Sequence, residues 1–241
     1  MSLDILITVA VTSFIQSIFG VGILLFGTPL LMLQGYNFLQ SLIVLLPISL
    51  LINLFQTFKD HSAIDLDFYK KILIYTIPFI VIFLIFINKT KINIGILIGV
   101  ILLLVAAKDF SIRANKMVNL LVRYEKSYLI IMGIVHGLTN LGGSLLTAVV
   151  HSKDYEKRII RATIAASYAT FTTFQIVTLL VYSFDIDIKL SMIALSLAVG
   201  LTIFIVTEKM IFTDIDTEAY RKLFSGFMFL SGLLLFVKSV Y

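Results

Sequence analysis

Cysteine is absent from the sequence, and charged residues make up only 14% of the 241-residue chain. The lack of cysteine excludes disulfides, thiolate metal sites, iron–sulfur clusters and cysteine nucleophiles. The only three histidines, His61, His136 and His151, are far apart in the sequence, so no metal centre or cofactor is expected. A soluble domain carries about 25% charged residues. So few charges cannot coat a soluble globule, which indicates a polytopic membrane protein.

Apolar residues take the place of the missing charges: 59% of the chain is hydrophobic and the mean hydropathy is +1.05. The net charge is +5, but the basic residues lie between apolar runs, where anionic lipid headgroups explain them better than nucleic acid does. No Lys or Arg precedes the first apolar run, so no cleaved signal peptide is expected. The predicted location is the inner membrane of a bacterium or archaeon, with lipids as partners and a homo-oligomer left open.

The apolar runs are arranged as two repeats. A helix needs about 20 apolar residues to cross a bilayer, and the first uncharged run divides into a segment interrupted by Gly20 and Gly22 and a clean span. The later run 127–152 is interrupted at residues 140–143 in the same way. The order of segments is broken, span, span, span, and then the same again: 5–34, 38–58, 72–88, 92–107, 127–152, 162–184, 190–207 and 223–237. This order predicts an all-α membrane protein of two repeats, residues 1–126 and 127–241.

The basic residues favour re-entrant hairpins for the two broken segments. If both segments crossed the membrane, Lys and Arg would divide about evenly between the two faces. If both are re-entrant, one face holds fifteen basic residues and the other holds four, which satisfies the positive-inside rule. The four are Lys89, Lys91, Lys189 and Lys238. The prediction is six crossings, two re-entrant segments, both termini outside and inverted repeats. The alternative is that the glycines only let ordinary helices pack closely.

The stretch 108–126 mixes basic and apolar residues. This mixture is typical of an amphipathic helix on a membrane surface. We expect it to connect the two repeats on the cytoplasmic side.

The candidate site follows from the two breaks. No Asp, Glu, Lys or Arg lies deep inside any segment, which argues against a carboxylate-based proton or sodium coupling mechanism. A helix that restarts after a break presents free N–H groups and a positive dipole end, and these bind anions without a cationic side chain. The sequence therefore predicts a small anionic substrate at a site near the membrane midplane. The candidate binding residues are the break residues and the neutral polar residues near them: Gly20, Gly22, Asn53, Gln56, His136, Asn140, Gly142, Gly143, Ser144 and Gln175.

The motifs at the two breaks resemble a known family. Residues 20–31, GVGILLFGTPLL, are similar to the first-repeat signature of the TauE/SafE sulfite exporters, in which a glycine-rich break is followed by Pro-Leu. Residues 133–143, GIVHGLTNLGG, resemble the second-repeat counterpart, although no proline follows this break. The resemblance covers the whole chain in segment order. It implies export of sulfite, organosulfonates or related organic anions by a membrane permease.

Three other functions are alternatives to a permease. An anion channel and an accessory membrane subunit remain alternatives. An intramembrane serine protease would pair Ser144 with His136 or His151, but the Gly-x-Ser-Gly order and an orienting acid are missing. The sequence therefore predicts that the protein is not an enzyme.

Overall fold

The computed structural model describes residues 3–90, 92–110, 122–153, 155–182, 188–211 and 217–240. Within these ranges the chain forms eleven α-helices, one short 3-10 turn at His61–Ala63 and no strand, which confirms the predicted all-α class. The helices are α1 Leu3–Phe19, α2 Ile23–Leu33, α3 Phe38–Lys59, α4 Leu66–Tyr75, α5 Ile77–Lys89, α6 Ile94–Phe110, α7 Glu125–Thr139, α8 Gly142–His151, α9 Lys157–Val181, α10 Leu190–Ile211 and α11 Thr217–Val240.

In the described part of the chain, four helical stretches are long and apolar enough to cross a membrane: Phe38–Lys59, Leu66–Lys89, Lys157–Val181 and Leu190–Glu208. They coincide with four of the six predicted spans. The other two predicted spans, 92–107 and 223–237, correspond to the shorter apolar stretches Ile94–Leu104 and Ser225–Val240. Most of the predicted surface connector, 108–126, lies outside the described residues.

The α1 helix is polar on the inside and apolar on the outside. Leu3, Ile7, Val11 and Phe14 recur at helical spacing and are 41–65% exposed. Its buried face carries Ile5 and Val9 together with a larger number of polar side chains: Thr8, Thr12, Ser13, Gln16 and Ser17. A soluble helix buries its apolar stripe, so this reversed pattern indicates that lipid surrounds the protein and that polar groups line its interior.

The first broken segment folds into a helical hairpin, which we call hairpin 1 (residues 3–36). At its open end, Tyr36 Oη donates to Asp4 Oδ2 at 2.9 Å and Gln34 Nε2 donates to Thr8 Oγ1 at 2.9 Å. The chain turns at residues 20–22, which form its tip. Both ends of hairpin 1 therefore lie together, as a re-entrant segment requires, although re-entry into a bilayer stays a prediction.

The second broken segment forms hairpin 2 (residues 125–153) in the same way. Lys153 Nζ contacts Glu125 Oε2 at 2.5 Å and Tyr128 Oη donates to the Leu145 carbonyl at 2.8 Å, so its two ends also lie together. Its tip is formed by residues 140–142.

The long helices α3 and α9 pack against each other and run antiparallel. Arg158 Nε at the start of α9 bonds Asp60 Oδ1 after the end of α3, at 2.9 Å. Since hairpin 1 opens next to the start of α3 and hairpin 2 opens next to the start of α9, the two hairpins open toward opposite ends of the bundle.

Each hairpin packs against helices from the other half of the chain. The α1 helix of hairpin 1 contacts α10, and the α7 helix of hairpin 2 contacts α5. The α2 and α8 helices contact each other, and α6 packs along α11. The halves 1–126 and 127–241 thus share one interior, and their assignment as repeats stays a prediction.

Candidate functional site

The chain reverses direction at both hairpin tips through a residue in the left-handed backbone conformation. Gly20 has φ +72° and its N–H donates to the Gln16 carbonyl at 2.9 Å. Asn140 has φ +63° and its N–H donates to the His136 carbonyl at 2.8 Å. Both residues end a helix in the left-handed conformation, which glycine adopts freely and asparagine tolerates. In both hairpins a polar residue precedes the turn by four positions: Gln16 before Gly20 and His136 before Asn140.

Glycine is also required just after each turn, because the returning helix starts against the helix before it. A Cβ on Gly22 would lie 2.7 Å from the Gln16 backbone nitrogen and 2.9 Å from the Thr12 carbonyl oxygen. A Cβ on Gly142 would lie 2.5 Å from His136 Cβ. A Cβ on Gly143 would overlap the Tyr168 phenol. These predicted site residues therefore lie at close contacts that exclude a side chain.

Gln16 organises the tip of hairpin 1. Its Oε1 accepts from the N–H of Ile23, the first residue of α2, at 3.1 Å. Its Nε2 donates to the Gly20 carbonyl at 3.2 Å and to Asn53 Oδ1 at 3.4 Å. Asn53 is fully buried and donates in turn to the Ser49 carbonyl at 2.7 Å. Asn53 thus lies at the tip as predicted, whereas Gln16 was not among the predicted site residues. Its position four residues before Gly20, matching His136 before Asn140, was the available signal.

A buried ion pair lies beside the same tip. Arg161 Nη2 contacts Glu208 Oε1, and Lys59 Nζ contacts the same oxygen at 3.3 Å. The hydrogen-bond network orients the Gln56 amide so that its oxygen accepts from Arg161 Nη2 at 3.0 Å and Nε at 3.1 Å. The Glu208 side chain is only 4% exposed and that of Arg161 13%. No Asp, Glu, Lys or Arg lies deep inside a predicted segment, and the sequence gives no sign of this pair because Arg161 and Glu208 lie next to the ends of predicted spans.

The tip of hairpin 2 is held by a chain of hydrogen bonds. Gln175 Nε2 donates to Asn140 Oδ1 at 3.2 Å, and Asn140 Nδ2 donates to Thr28 Oγ1 in α2 at 3.0 Å. His136 Nε2 lies 3.3 Å from Gln175 Oε1. All four side chains are fully buried. Hairpin 2 is thereby tied to both α9 and hairpin 1, and three predicted site residues, His136, Asn140 and Gln175, meet at one point.

The proton on His136 is assigned by this network. Gln175 Oε1 is an acceptor, so His136 Nε2 carries the hydrogen and Nδ1 is left with a lone pair. Among the described residues, His136 Nδ1 has no hydrogen-bond partner. It faces the start of α8, since a Cβ on Gly142 would lie 3.0 Å from it. Among the described residues, His136 Nδ1 is therefore a buried hydrogen-bond acceptor without a donor, and it lies next to the first residue of α8.

Ser144 does not take part in a catalytic arrangement with either nearby histidine. Its Oγ donates to the Leu141 carbonyl at 3.1 Å. His151 Nδ1 lies 2.8 Å from the Thr147 carbonyl. Ser144 is thus a local hydrogen-bond donor in the first turn of α8.

The open end of hairpin 2 carries paired charges at the bundle surface. Glu125 contacts Lys71 at 2.6 Å and Lys153 at 2.5 Å. Burial alone would raise the pKa of the Glu125 carboxyl, but the hydrogen bonds from Lys153 and Lys71 outweigh it and hold the pKa below its ordinary value of 4.5. The two lysines therefore stabilise the charged carboxylate in the folded protein.

This depressed pKa makes the stability of hairpin 2 depend on pH. A carboxylate whose pKa is lowered by folding stabilises the protein above its unfolded pKa and loses that effect as the pH falls. We expect Glu125→Gln to lower the Tm by about 2–4 °C at pH 7, from a loss of about 1 kcal/mol. The difference from wild type should disappear as the pH falls below 4.5. Thermal unfolding in detergent measures it, with the exposed Glu156→Gln as control; a constant difference at every pH would contradict the ion-pair explanation.

The apolar helices and their lipid-facing surfaces define a multi-pass helical membrane protein. The family model for the sulfite exporter TauE/SafE matches residues 5–235. The chain therefore belongs to the TauE/SafE family, and the resemblance seen in the sequence is confirmed. Comparisons with curated proteins and with solved structures found no match.

Proposed function

We propose that this protein is a permease that moves a small anion, such as sulfite, an organosulfonate or a related organic anion, between the two hairpin tips near the middle of the membrane. The observation that carries the proposal is the likeness of the two tips. Each has a left-handed turn, then a glycine in close contact, then the start of a helix with no side-chain cap from its N-cap residue. Two helix N-termini with their positive dipole ends then supply the attraction for an anion.

The pattern of helix contacts supports inverted repeats. In two inverted repeats, α1 would correspond to α7, α3 to α9 and α5 to α10. The contact of α1 with α10 then has its counterpart in the contact of α7 with α5. By the same correspondence, the contact of α3 with α10 has its counterpart in the contact of α9 with α5. A cavity of about 230 Å³ lies between α3, α9 and α10, and one of about 260 Å³ lies between α9, α3 and α4, which belongs with α5 to one apolar stretch, Leu66–Lys89.

In this proposal the open end of hairpin 2 faces the cytoplasm. That end lies near the end of α3 and the start of α9, where the basic residues Lys59, Lys71, Lys153, Arg158 and Arg161 are found. The positive-inside rule then places both termini outside. Hairpin 1 opens outward, and its tip reaches toward the cytoplasmic ends of α3 and α10.

The burial of the tips favours a carrier over an open pore. Gln16, Asn53, His136, Asn140 and Gln175 are each at most 3% exposed. Such burial is typical of an occluded state, in which a substrate reaches the site only after one hairpin moves relative to its neighbours.

Reconstitution tests the proposal directly. Purified protein in liposomes is expected to support saturable uptake of sulfite, methanesulfonate or acetate, and to show counterflow against the same anion loaded inside. Liposomes without protein serve as the control. Saturable counterflow would support a carrier, and flux that never saturates would point to a channel. The absence of flux for every anion would overturn the proposed function and leave an accessory subunit.

A further inference from the structure

The two polar residues that precede the turns by four positions are bonded differently. In hairpin 1, Gln16 Oε1 accepts from the N–H of Ile23, so the hairpin itself supplies an acceptor to the start of α2. In hairpin 2, His136 Nδ1 lies beside Gly142, the first residue of α8, and among the described residues it has no hydrogen-bond partner. The His136 side chain is fully buried. The described part of hairpin 2 thus holds an acceptor at a helix start without a donor to fill it.

Hydrogen-bond donors lie next to this acceptor. The first N–H groups of a helix have no partner within the helix, and α8 receives no side-chain cap from its N-cap residue Leu141. The helix begins with Gly142 and Gly143, which pack closely against His136 and the Tyr168 phenol. The start of α8 therefore offers N–H donors and one acceptor within a single small region.

The imidazole lies in uncharged surroundings. The runs 127–152 and 162–184, which contain His136 and its bonding partner on α9, have no Asp, Glu, Lys or Arg. The titratable group beside the imidazole is the Tyr168 phenol, at 6.1 Å between the ring centroids. On the elements packed nearby, Lys71 of α4 pairs with Glu125 at the open end of hairpin 2 instead. A neutral imidazole nitrogen with a lone pair accepts from an O–H group and repels a bare anionic oxygen.

We propose that the start of α8 binds an oxyanion that keeps a hydroxyl group, and that His136 Nδ1 accepts the hydrogen bond from this hydroxyl. This inference rests on the proposed function and narrows its substrate class to hydroxylated anions such as hydrogensulfite. The remaining oxygens of the same anion accept from N–H groups at the start of α8. Such an anion satisfies the buried acceptor and the helix start together. A sulfonate, which has a carbon group in place of the hydroxyl, leaves Nδ1 without a donor.

Two matched pairs of anions test the hydroxyl. Hydrogensulfite and methanesulfonate differ by a hydroxyl in place of a methyl group, and so do hydrogencarbonate and acetate. A buried acceptor left without its partner weakens binding by about tenfold or more, so wild type should bind the hydroxylated member of each pair about tenfold more tightly. The affinity for total sulfite should also fall as the pH rises and hydrogensulfite loses its proton, whereas the affinity for methanesulfonate should not change.

Two substitutions separate the Nδ1 acceptor from the bond between His136 and Gln175. His136→Gln places an amide near the position of Nε2, so it keeps a partner for Gln175 and loses the acceptor at Nδ1. His136→Asn places an amide oxygen near the position of Nδ1, so it keeps the acceptor and loses that bond. The preference for the hydroxylated anion should disappear in His136→Gln and persist in His136→Asn. The matched control is His151→Gln at the exposed end of α8, which should keep the wild-type preference.

The measurement is equilibrium binding of the four anions to purified protein in nanodiscs, with size-exclusion profiles for every variant. Equal affinity for both members of each pair in wild type would overturn the inference and leave the proposed function standing; a hydrogen on Nδ1 would give this result. A preference that survives in His136→Gln would also overturn it. If wild type binds none of the anions, the proposed function itself fails. Should His136→Gln not yield monodisperse protein, the wild-type pairs and the pH dependence of sulfite binding decide.

Discussion

Replacing Gly22 with Ala is expected to abolish anion flux and to destabilise hairpin 1. The added Cβ would lie 2.7–3.0 Å from backbone atoms of Gln16 and Thr12, and backbone atoms inside α1 cannot turn aside as the end of a side chain can. Overpacking of this kind costs about 1–3 kcal/mol. It also pushes the start of α2 away from Gln16, whose Oε1 accepts the Ile23 N–H. Flux in liposomes and Tm in detergent measure the two effects.

The control for this substitution is Gly226→Ala in α11. A Cβ there meets nothing within 4 Å, and alanine favours a helix over glycine by about 1 kcal/mol, so its flux should equal that of wild type and its Tm should not fall. The larger changes Gly22→Leu and Gly143→Leu should abolish flux while leaving membrane insertion intact. Unaltered flux in both leucine variants would contradict the assignment of the tips as the site.

The second large effect is expected at Asn140. Asn140→Leu removes the bonds to Thr28 and Gln175 and places a branched side chain at φ +63°. The two lost bonds leave buried polar groups unsatisfied, at about 1–3 kcal/mol each, and the left-handed backbone adds about 1–2 kcal/mol. We expect loss of flux together with a clear fall in Tm.

A second variant, Asn140→Gly, separates the effect of the lost hydrogen bonds from the effect of the left-handed backbone. Glycine adopts the left-handed conformation without strain, so this variant loses only the hydrogen bonds. Its Tm should lie between those of wild type and Asn140→Leu, with flux strongly reduced. Equal Tm values for the glycine and leucine variants would show that backbone conformation contributes nothing at this turn. If the flux of Asn140→Gly equals that of wild type, the Asn140 side-chain amide is not needed for transport.

Much of the architecture could be predicted because hydropathy and helix breaks are local properties of the sequence. The spans beginning at Phe38 and Leu190 follow from uncharged runs, and the breaks at Gly20 and Asn140 follow from residues that end helices. The break at Thr76, which divides a predicted span into α4 and α5, has a local signal in Pro78, in the first turn of α5, and also a distant contact. Thr76 Oγ1 donates to the Leu129 carbonyl on α7, a partner 53 residues away that no local pattern reveals.

Part of the candidate site could be proposed from the sequence because unusual residue types are also a local property of the sequence. Asn53, His136 and Gln175 stand out as amides or imidazoles in apolar helices, and they do meet at the tips. Arg161 and Glu208 do not stand out, because a charge near the end of a span is usually solvated. Only the packing of α9 and α10 around hairpin 1 shows that both side chains are buried. Sequence identifies the unusual residue types, whereas burial depends on contacts between distant parts of the chain.

The packing of α1 against α10 has a consequence for how the protein is made. Chains are synthesised and folded from the N-terminus onward, so hairpin 1 leaves the ribosome long before its partner helix exists. Until α10 arrives, the face of α1 that carries Ser13 and Ser17 has no permanent cover, since Ser17 Oγ accepts from Thr207 Oγ1 on α10 and Ser13 lies against Gly200. The nascent N-terminal half must therefore bury that face temporarily, within the insertion machinery or against its own α2 and α3. The packing around the first twenty residues is complete only when the last third of the polypeptide has been made.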